Sequence, residues 1–408
     1  MNYKEHLQCR VCDSDRLTAY LDLGMMPLSN NLASSTMDKI HEERYPLKVM
    51  ICEQCGLSQL SIVIPPEELF SHYVYRSSIA QGYVNHCRQM AKDLKVKYKL
   101  NQSSFHIDIA GNDCALLKEF REEIGLKILN VDPAENLAPI CEAIEIPTLT
   151  YFWGMDVANR IVNGHGKADL ITATNVFAHC DNVKEFLSAC KYVLKPSGVL
   201  VLEFPYLIDF IENSEFDTVY FEHLSYFSIY PLTLLCEDLG LNVMSVEKHD
   251  IHGGSVRVVI GNGNQDKSVY KFVFDERRRY SDIKRYNEFA DDVQLTIGSF
   301  RRNLQGLKSK GAMIAGFAAS AKGNTLLNSA GITVGTMSYI VDETPEKVGK
   351  YSPGTRIPIV SMMDMMRNQP DYLVILSWNF ANEIKLKCRL AGYKGKFIIP
   401  IPEFKIID

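Results

Sequence analysis

The sequence lacks the features that would assign it to a membrane, secreted or nucleic-acid-binding class. No apolar run approaches the roughly 18 residues needed to cross a bilayer, and the first residues hold no apolar stretch typical of a secretory signal. Basic residues are not in excess, since 44 Lys and Arg stand against 49 Asp and Glu, whereas nucleic-acid-binding domains are usually basic. We therefore expect a cytoplasmic protein with no membrane and no nucleic-acid partner.

The chain is long enough for more than one hydrophobic core. It has 408 residues, of which 46% are hydrophobic and 23% charged, and one domain usually takes roughly 100 to 200 residues. Composition and pattern predict three units: residues 1–65, residues 66–265 with a lid or linker helix over 66–100, and residues 266–408, which begin with a charge-rich helical bridge. The fold class is α/β, with a small module before the main domain and a smaller α/β domain after it.

Four of the eleven cysteines form two C-x-x-C pairs, and these predict a zinc site. They are Cys9, Cys12, Cys52 and Cys55. Two such turns can aim four thiolates at one centre, which leaves no ligand position for water, so the site is expected to be structural. The odd cysteine count argues against a disulfide framework. The other seven are expected to be small core residues: Cys87, Cys114, Cys141, Cys180, Cys190, Cys236 and Cys388.

The middle of the chain alternates between strand and helix patterns, as in a parallel sheet with crossover helices. The predicted elements are strands at 105–110, 127–131, 168–174 and 199–204, with helices at 115–124, 182–194 and 232–239. Ligands bind such sheets at the carboxyl ends of the strands. Three of those ends carry suggestive residues: Gly111 in the first loop, Asp132 about 20 residues later, and Asn175.

These strand ends favour a ribose-bearing cofactor without a pyrophosphate. A carboxylate such as Asp132 can accept both hydroxyls of a ribose. A dinucleotide needs a glycine-rich loop for close approach of its pyrophosphate, but the first loop, Ala110 to Cys114, holds one glycine. S-adenosylmethionine has a ribose and no phosphate. The residues alone therefore predict S-adenosylmethionine as the cofactor.

Motifs spread over almost the whole chain resemble those of the nucleotide-sugar C-methyltransferases of deoxysugar biosynthesis. Besides the two cysteine pairs, the resemblance is carried by these segments: 24–30 (GMMPLSN), 73–78 (YVYRSS), 112–113 (ND), 132–134 (DPA), 203–207 (EFPYL), 220–223 (YFEH), 253–257 (GGSVR) and 321–328 (AKGNTLLN). It implies a zinc-binding module, a central Rossmann-like methyltransferase domain, and a C-terminal α/β domain that helps to hold the nucleotide-sugar.

The implied reaction moves a methyl group from S-adenosylmethionine to the carbon beside the C4 ketone of a dTDP-linked 4-keto-deoxysugar, typically C3. Such a carbon must first lose a proton to give an enolate, so the site needs a base and donors to the enolate oxygen. The resemblance assigns the base to His223. By the logic of other base–orienter pairs, Glu222 is expected to orient the imidazole or to stabilise its imidazolium. Tyr220, His179 and Tyr75 are expected to complete the catalytic set.

The resemblance also implies binding residues. The cofactor contacts are expected to be Gly111, Asn112, Asp113, Asp132, Pro133 and Asn175. The substrate contacts are expected to be Ser77, Ser78, Tyr206, Lys322 and Asn324, the last two on a loop before a helix, where backbone N–H groups and a lysine suit a diphosphate. A nucleotide-linked sugar is thus the expected partner, and the expected state is a monomer.

The first loop departs from the pattern of the family. Ala110 and Cys114 stand where glycine is usual, and a positive φ at Cys114 would strain the backbone. This departure keeps alternatives open: methylation of another sugar position or of an oxygen, or a nucleotide-sugar-binding protein without methyltransferase activity. A zinc-ribbon nucleic-acid binder is disfavoured by the acidic charge balance.

Overall fold

A computed structural model describes residues 2–34, 42–251 and 253–408 of the chain. The strands are β1 (Lys4–Glu5), β2 (Leu17–Met26), β3 (Tyr45–Cys52), β4 (Ser58–Leu60), β5 (Ile62–Val63), β6 (Phe105–Ile109), β7 (Lys127–Val131), β8 (Thr148–Leu149), β9 (Ala168–Thr174), β10 (Leu194–Pro205), β11 (Ser225–Tyr226), β12 (Asn242–His249), β13 (Ser255–Gly261), β14 (Ile314–Phe317), β15 (Ile340–Val341), β16 (Ile359–Val360), β17 (Tyr372–Ile375), β18 (Lys396–Ile399) and β19 (Lys405–Ile407).

Thirteen α-helices are present in the described part of the chain. They are α1 (Pro66–Phe70), α2 (Gln81–Tyr98), α3 (Ala115–Ile124), α4 (Ala138–Ala143), α5 (Met155–His165), α6 (Val183–Val193), α7 (Leu207–Glu212), α8 (Ile229–Asp238), α9 (Lys267–Arg279), α10 (Ile283–Ser309), α11 (Ala321–Ser329), α12 (Met362–Arg367) and α13 (Ala381–Leu390). Short 3₁₀ turns lie at Ser77–Ile79, Phe177–His179, Phe216–Thr218 and Trp378–Phe380. None of the helices in the described ranges is long and apolar enough to cross a bilayer.

The central sheet is the Rossmann-like scaffold that the alternating pattern predicts. Its seven strands run in the order β12-β13-β10-β9-β6-β7-β8. The strands from β10 to β8 are parallel, while β13 is antiparallel to both β10 and β12. Strands β6 and β9 are buried along most of their length, as expected for a sheet covered on both faces. The carboxyl ends of β6, β7 and β9 therefore meet at one edge.

The flanking units each contain a sheet of their own. The N-terminal sheet has the order β11-β4-β3-β2, so it takes one strand, β11, from the central part of the chain. The C-terminal sheet has the order β16-β15-β14-β17-β18-β19 and is parallel except for β19. The α/β fold class with a preceding module and a second, smaller α/β unit is thus confirmed.

The charge-rich bridge is less exposed than the sequence suggests. We expected one or two long solvated helices over residues 266–307, and the structure has α9 and α10 there. One face of α10 is buried, however, through Tyr286, Phe289, Val293, Ile297, Phe300 and Leu304. These residues recur every three or four positions, which places them on one helical face. Strand β2 and α7 are among the elements that α10 contacts.

Candidate active site

A cavity of about 520 Å³ lies at the carboxyl edge of the central sheet. Residues from all three predicted units line it. Eleven predicted site residues are among them: Tyr75, Ser77, Gly111, Asn112, Asp132, Pro133, Asn175, His179, Tyr220, His223 and Lys322. Five others do not line it: Ser78, Asp113, Glu222, Tyr206 and Asn324. The fold therefore brings together residues that are up to about 250 positions apart in the sequence (75 to 322).

The first loop is held in a conformation that usually requires glycine. Ala110, Asn112 and Cys114 have positive φ angles of 55°, 55° and 65°, so the strain expected at Cys114 is present there and at two further residues. Gly111 cannot carry a side chain, because a Cβ would contact Asn130 Oδ1 and lie 2.8 Å from Asp108 Oδ2. The backbone at Gly111 thus packs directly on the buried side chains of Asn130 and Asp108.

Asp132 is placed as the strand-end acid of a ribose site. Its Oδ2 accepts from the Asn112 N–H at 2.8 Å and its Oδ1 from the Ala134 N–H at 2.9 Å. These bonds fix the carboxyl of Asp132, which lines the cavity together with Pro133 and Asn175. A fixed carboxylate next to a loop that lets backbone approach fits the ribose end of S-adenosylmethionine.

The Asp113 side chain bonds to the segment that precedes α2. Its carboxylate accepts from the Ser78 hydroxyl at 2.5 Å and from the Ser78 N–H at 3.2 Å. The cofactor contact predicted for Asp113 and the substrate contact predicted for Ser78 stay predictions, and here the two side chains bond to each other. Next to it, the Ser77 N–H donates to Asn112 Oδ1 at 3.0 Å, and the Asn112 amide donates to the Tyr75 carbonyl at 3.1 Å. Both bonds join the lid to the first loop.

His223 lies in the cavity wall with both ring nitrogens engaged. Nδ1 is 2.8 Å from the Thr218 carbonyl oxygen, and Nε2 is 2.8 Å from the Tyr220 hydroxyl. A carbonyl can only accept, so Nδ1 carries the proton in the neutral ring and Nε2 accepts from the tyrosine. This tautomer directs the basic nitrogen of His223 toward Tyr220, which itself lines the cavity.

Glu222 is not the partner that orients His223. Its Oε1 accepts from the Asn30 amide at 2.8 Å, and the contact that fixes the imidazole comes from the Thr218 carbonyl. Burial raises the pKa of Glu222. The expected orienting contact relied on sequence adjacency, but neighbouring side chains in a turn leave the backbone in different directions. No sequence signal identifies the Thr218 carbonyl.

His179 forms part of an aromatic stack beside the predicted base. Its ring stacks on Phe70 at 5.4 Å and on His223 at 5.1 Å between ring centroids. Burial lowers the pKa of His179 to about 4 and raises the pKa of Tyr220 well above its usual value. Near neutral pH both groups are therefore uncharged hydrogen-bond donors next to the His223 ring.

Tyr206 and Asn324 hold the domains together away from the cavity. The Tyr206 hydroxyl donates to Glu276 of α9 at 2.7 Å, and the buried Asn324 amide donates to the Ser29 carbonyl at 2.7 Å. Each side chain is therefore directed into a contact between different parts of the chain. The substrate contacts predicted for these two residues stay predictions.

Lys322 does line the cavity, and a second lysine joins it. The Lys322 ammonium lies 4.0 Å from Glu215 and 4.9 Å from the Trp378 ring centroid. Lys347, which sequence reasoning missed, donates to the Ala319 carbonyl at 2.9 Å and lies 3.5 Å from Asp342. Both lysines line the cavity and come from the C-terminal unit, and each ammonium lies near an acidic side chain.

The four cysteines of the C-x-x-C pairs converge as predicted. Their sulfur atoms all lie within 4.8 Å of one another, with Cys9 to Cys55 at 3.4 Å and Cys12 to Cys52 at 3.5 Å. Four thiolates on a tetrahedral zinc ion with bonds of about 2.3 Å are about 3.8 Å apart, so the donor set fits zinc.

One pair of the remaining cysteines departs from the expectation of free core thiols. Cys114 and Cys141 are joined as a disulfide with their Cα atoms 5.9 Å apart. Both are buried, so only their predicted free state is wrong. The first loop and α4 are brought together by the fold, and the spacing of the two residues in the sequence does not reveal this. The other five are free, and all but Cys180 are buried.

Comparison with known proteins agrees with this geometry. Three family models match successive parts of the chain: "Putative zinc binding domain" over residues 9–70, "Methyltransferase domain" over 86–246 and "C-methyltransferase C-terminal domain" over 250–402. The C-methyltransferase NovU of Streptomyces niveus is 34% identical over 407 residues, which cover 98% of this chain and 97% of NovU.

Solved structures resemble the chain only in part. An S-adenosylmethionine-dependent methyltransferase from Clostridium acetobutylicum is 12% identical, with a TM-score of 0.35, over 44% of this chain and 92% of that protein. The PH0226 protein of Pyrococcus horikoshii is 13% identical, with a TM-score of 0.37, over 48% of this chain and 97% of that protein. At these values the likeness carries no functional weight.

The converging cysteines and the loops at the strand ends agree with the full-length relative and the three family models. The chain therefore belongs to the C-methyltransferase family and is an S-adenosylmethionine-dependent enzyme with a zinc-binding module.

Proposed function

We propose that this enzyme methylates the carbon beside the C4 ketone, typically C3, of a dTDP-linked 4-keto-deoxysugar, with His223 as the base. The observation that carries the proposal is the fixed tautomer of His223. Because Nδ1–H is bonded to the Thr218 carbonyl, the ring can take up a proton only at Nε2, which is on the cavity side with Tyr220.

The reaction needs a base that gains a proton while an oxygen nearby gains negative charge. S-adenosylmethionine, when bound, supplies the methyl group as an electrophile. His223 removes the proton from the sugar carbon, and the ketone oxygen receives the electron pair as an enolate. His179 is a neutral donor beside the ring. The Tyr220 O–H donates to Nε2 of the neutral ring, and once Nε2 has taken up the proton this hydroxyl can donate to the enolate oxygen instead. Because His179 is neutral, it does not repel the positive charge of the newly formed His223 imidazolium.

The two lysines that line the cavity support a nucleotide-linked substrate. Lys322 is at the second position of α11, where the helix N-terminus and an ammonium together favour a diphosphate. Lys347 adds a second ammonium to the cavity lining. We propose that the diphosphate lies here and the sugar points toward His223. The unit boundaries at residues 65 and 265, and a monomeric state, remain part of this proposal.

The NovU relative favours a carbon acceptor over the oxygen acceptor that the sequence left open. The test is hydrogen exchange at the sugar carbon. In heavy water, the enzyme should exchange the acidic C3 proton of a dTDP-4-keto-deoxysugar, and labelled cofactor should deliver its methyl group to that carbon, as located by NMR. Incubation with a panel of such sugars would identify the acceptor.

His223→Gln should abolish this exchange, because the amide cannot act as a base, while binding of the nucleotide-sugar stays within a few-fold of wild type. The matched control is His165→Gln, an exposed histidine on α5, which should exchange at the normal rate. Retained exchange in His223→Gln would remove the base assignment. Absence of methylation with every 4-keto sugar in the wild type would remove the substrate class.

A further inference from the structure

The segment that carries His223 is built into the sheet of the zinc module. Strand β11 begins two residues after His223 and pairs with β4 in antiparallel register, Ser225 opposite Gln59 and Tyr226 opposite Ser58. The Leu224 carbonyl accepts from the Leu60 N–H at 2.9 Å. The backbone next to the proposed base is therefore held by the zinc module as well as by the methyltransferase domain.

Arg10, inside the first C-x-x-C pair, reaches the same backbone through its side chain. Its side chain has no solvent exposure. One terminal nitrogen, Nη1, donates to the Leu224 carbonyl at 3.2 Å and to the Leu60 carbonyl at 3.3 Å. Its backbone N–H donates to the Gln59 side chain at 3.0 Å. One residue of the zinc knuckle thus bonds to β4 and to the residue that precedes β11.

The same guanidinium also binds the loop that carries His179. Arg10 Nε lies 3.1 Å from Asp181 Oδ1, and Asp181 lines the cavity two residues after His179. His179 and His223 stack at 5.1 Å between ring centroids. A planar guanidinium holds its donors in a fixed fork, so one rigid group bonds to both histidine loops.

We propose that Arg10 is a positioning residue that couples the zinc site to the catalytic histidines. Cys9 and Cys12 flank Arg10, so the fold of the cysteine knuckle determines where the guanidinium points. The zinc module would then be a template for the active site in addition to a stabilising unit. This inference rests on the proposed role of His223 as the base, and misplacement of a catalytic group by about 1 Å can lower a rate about 100-fold.

The test compares Arg10→Met and Arg10→Lys with Arg16→Met. Methionine fills the apolar part of the arginine volume without donating, and lysine keeps the charge but loses the fork. Arg16 is an exposed arginine of the same module that contacts Gln54. Each variant is measured for zinc content, affinity for S-adenosylmethionine, kcat and KM, and the His223 imidazole signals in ¹⁵N-histidine-labelled protein, assigned with His223→Gln.

We expect Arg10→Met to retain about one zinc per chain and wild-type cofactor affinity, to lose about 10- to 100-fold in kcat with little change in KM, and to shift the His223 signal. Arg10→Lys should lie between Arg10→Met and wild type, and Arg16→Met should match wild type in every measurement. If Arg10→Met does not fold or lacks zinc, the same measurements on Arg10→Lys test the proposal.

Zinc-loaded Arg10 variants with kcat and His223 signals like those of Arg16→Met would overturn the inference. A fall in kcat with an unchanged His223 signal would also contradict it, because the loss would then arise elsewhere. If the wild type methylates none of the sugars, the substrate proposal fails, but the His223 signal still tests the coupling. An altered signal in Arg10→Met would support the coupling even then.

Discussion

At the scale of single residues, a buried polar chain supports the first loop from below. The Thr172 hydroxyl donates to Asp108 Oδ1 at 2.6 Å, and His106 Nε2 lies 2.7 Å from the same hydroxyl oxygen. Burial raises the pKa of Asp108 from its ordinary value of 3.8 to about 7 and lowers the pKa of His106 to about 3. Both groups are therefore largely uncharged at mildly acidic pH, and Asp108 lies next to Gly111.

This raised pKa makes the stability contributed by Asp108 depend on pH. The folded state holds the proton up to about pH 7, and the unfolded state releases it near 3.8. The contribution is therefore fully present below the unfolded pKa and is lost as pH rises through the folded pKa. Asp108→Asn keeps a neutral group of the same shape, so it removes this pH dependence.

We expect the unfolding free energy of the wild type, relative to Asp108→Asn, to fall by about 1 kcal/mol or more as the pH rises from about 4.5 to 7.5. Chemical denaturation at several pH values measures it. Asp291→Asn, at an exposed position on α10, should show no such trend. A constant difference between wild type and Asp108→Asn would contradict the raised pKa.

At the scale of elements, the turn from β6 into α3 carries backbone strain that a glycine would relieve. Ala110 has φ of 55°, and an L-residue in this left-handed region costs roughly 1–2 kcal/mol. Ala110→Gly should therefore raise the unfolding free energy by about 0.5–1 kcal/mol, after allowing for the greater freedom of glycine in the unfolded chain.

Chemical denaturation provides the measurement for Ala110→Gly, and Ala134→Gly is the matched control. Ala134 is buried in the loop after β7 and has no positive φ, so its replacement should lower stability instead. A loss of stability in Ala110→Gly comparable to that of the control would show that the strain is not relieved by glycine.

At the scale of the whole molecule, a hydrogen bond from the indole of Trp378 joins the C-terminal unit to the central one. Trp378 Nε1 donates to Asp217 Oδ2 at 2.8 Å, and Asp217 is fully buried. Trp378→Phe removes that donor and leaves a buried carboxyl with one bond fewer, which should cost about 1–3 kcal/mol. Hydrogen exchange in the segment Trp378–Phe380 should rise at the same time.

Trp153→Phe is the matched control, since its indole donates to the Phe186 carbonyl at 3.2 Å within the central part of the chain. It should not increase exchange in Trp378–Phe380. Equal exchange of that segment in both variants would mean that the Trp378–Asp217 bond does not hold the two units together.

Much of the central fold could be predicted from local pattern. The bounds of β7, β9 and α3 coincide with the predicted ones, because each is a short apolar or amphipathic run between clear turn residues. α5 was missed although Val157, Ala158 and Ile161 recur at helical spacing and Gly166 follows the last turn. The roles of Glu222 and Asn324 also could not be read from the sequence, because side-chain direction depends on which distant backbone each residue meets.

The sequence by itself determined the chemistry that is available: paired cysteines for zinc, a strand-end acid for a ribose, and a histidine beside tyrosines. These depend on residue type and short spacing, which the chain fixes before it folds. Only the tertiary structure decided which groups act together. The Thr218 carbonyl sets the tautomer of His223, and Arg10 bonds to Leu224 and Asp181, which are more than 170 residues away in the sequence. Strand pairing and burial bring those atoms within bonding distance, and proximity in the sequence does not.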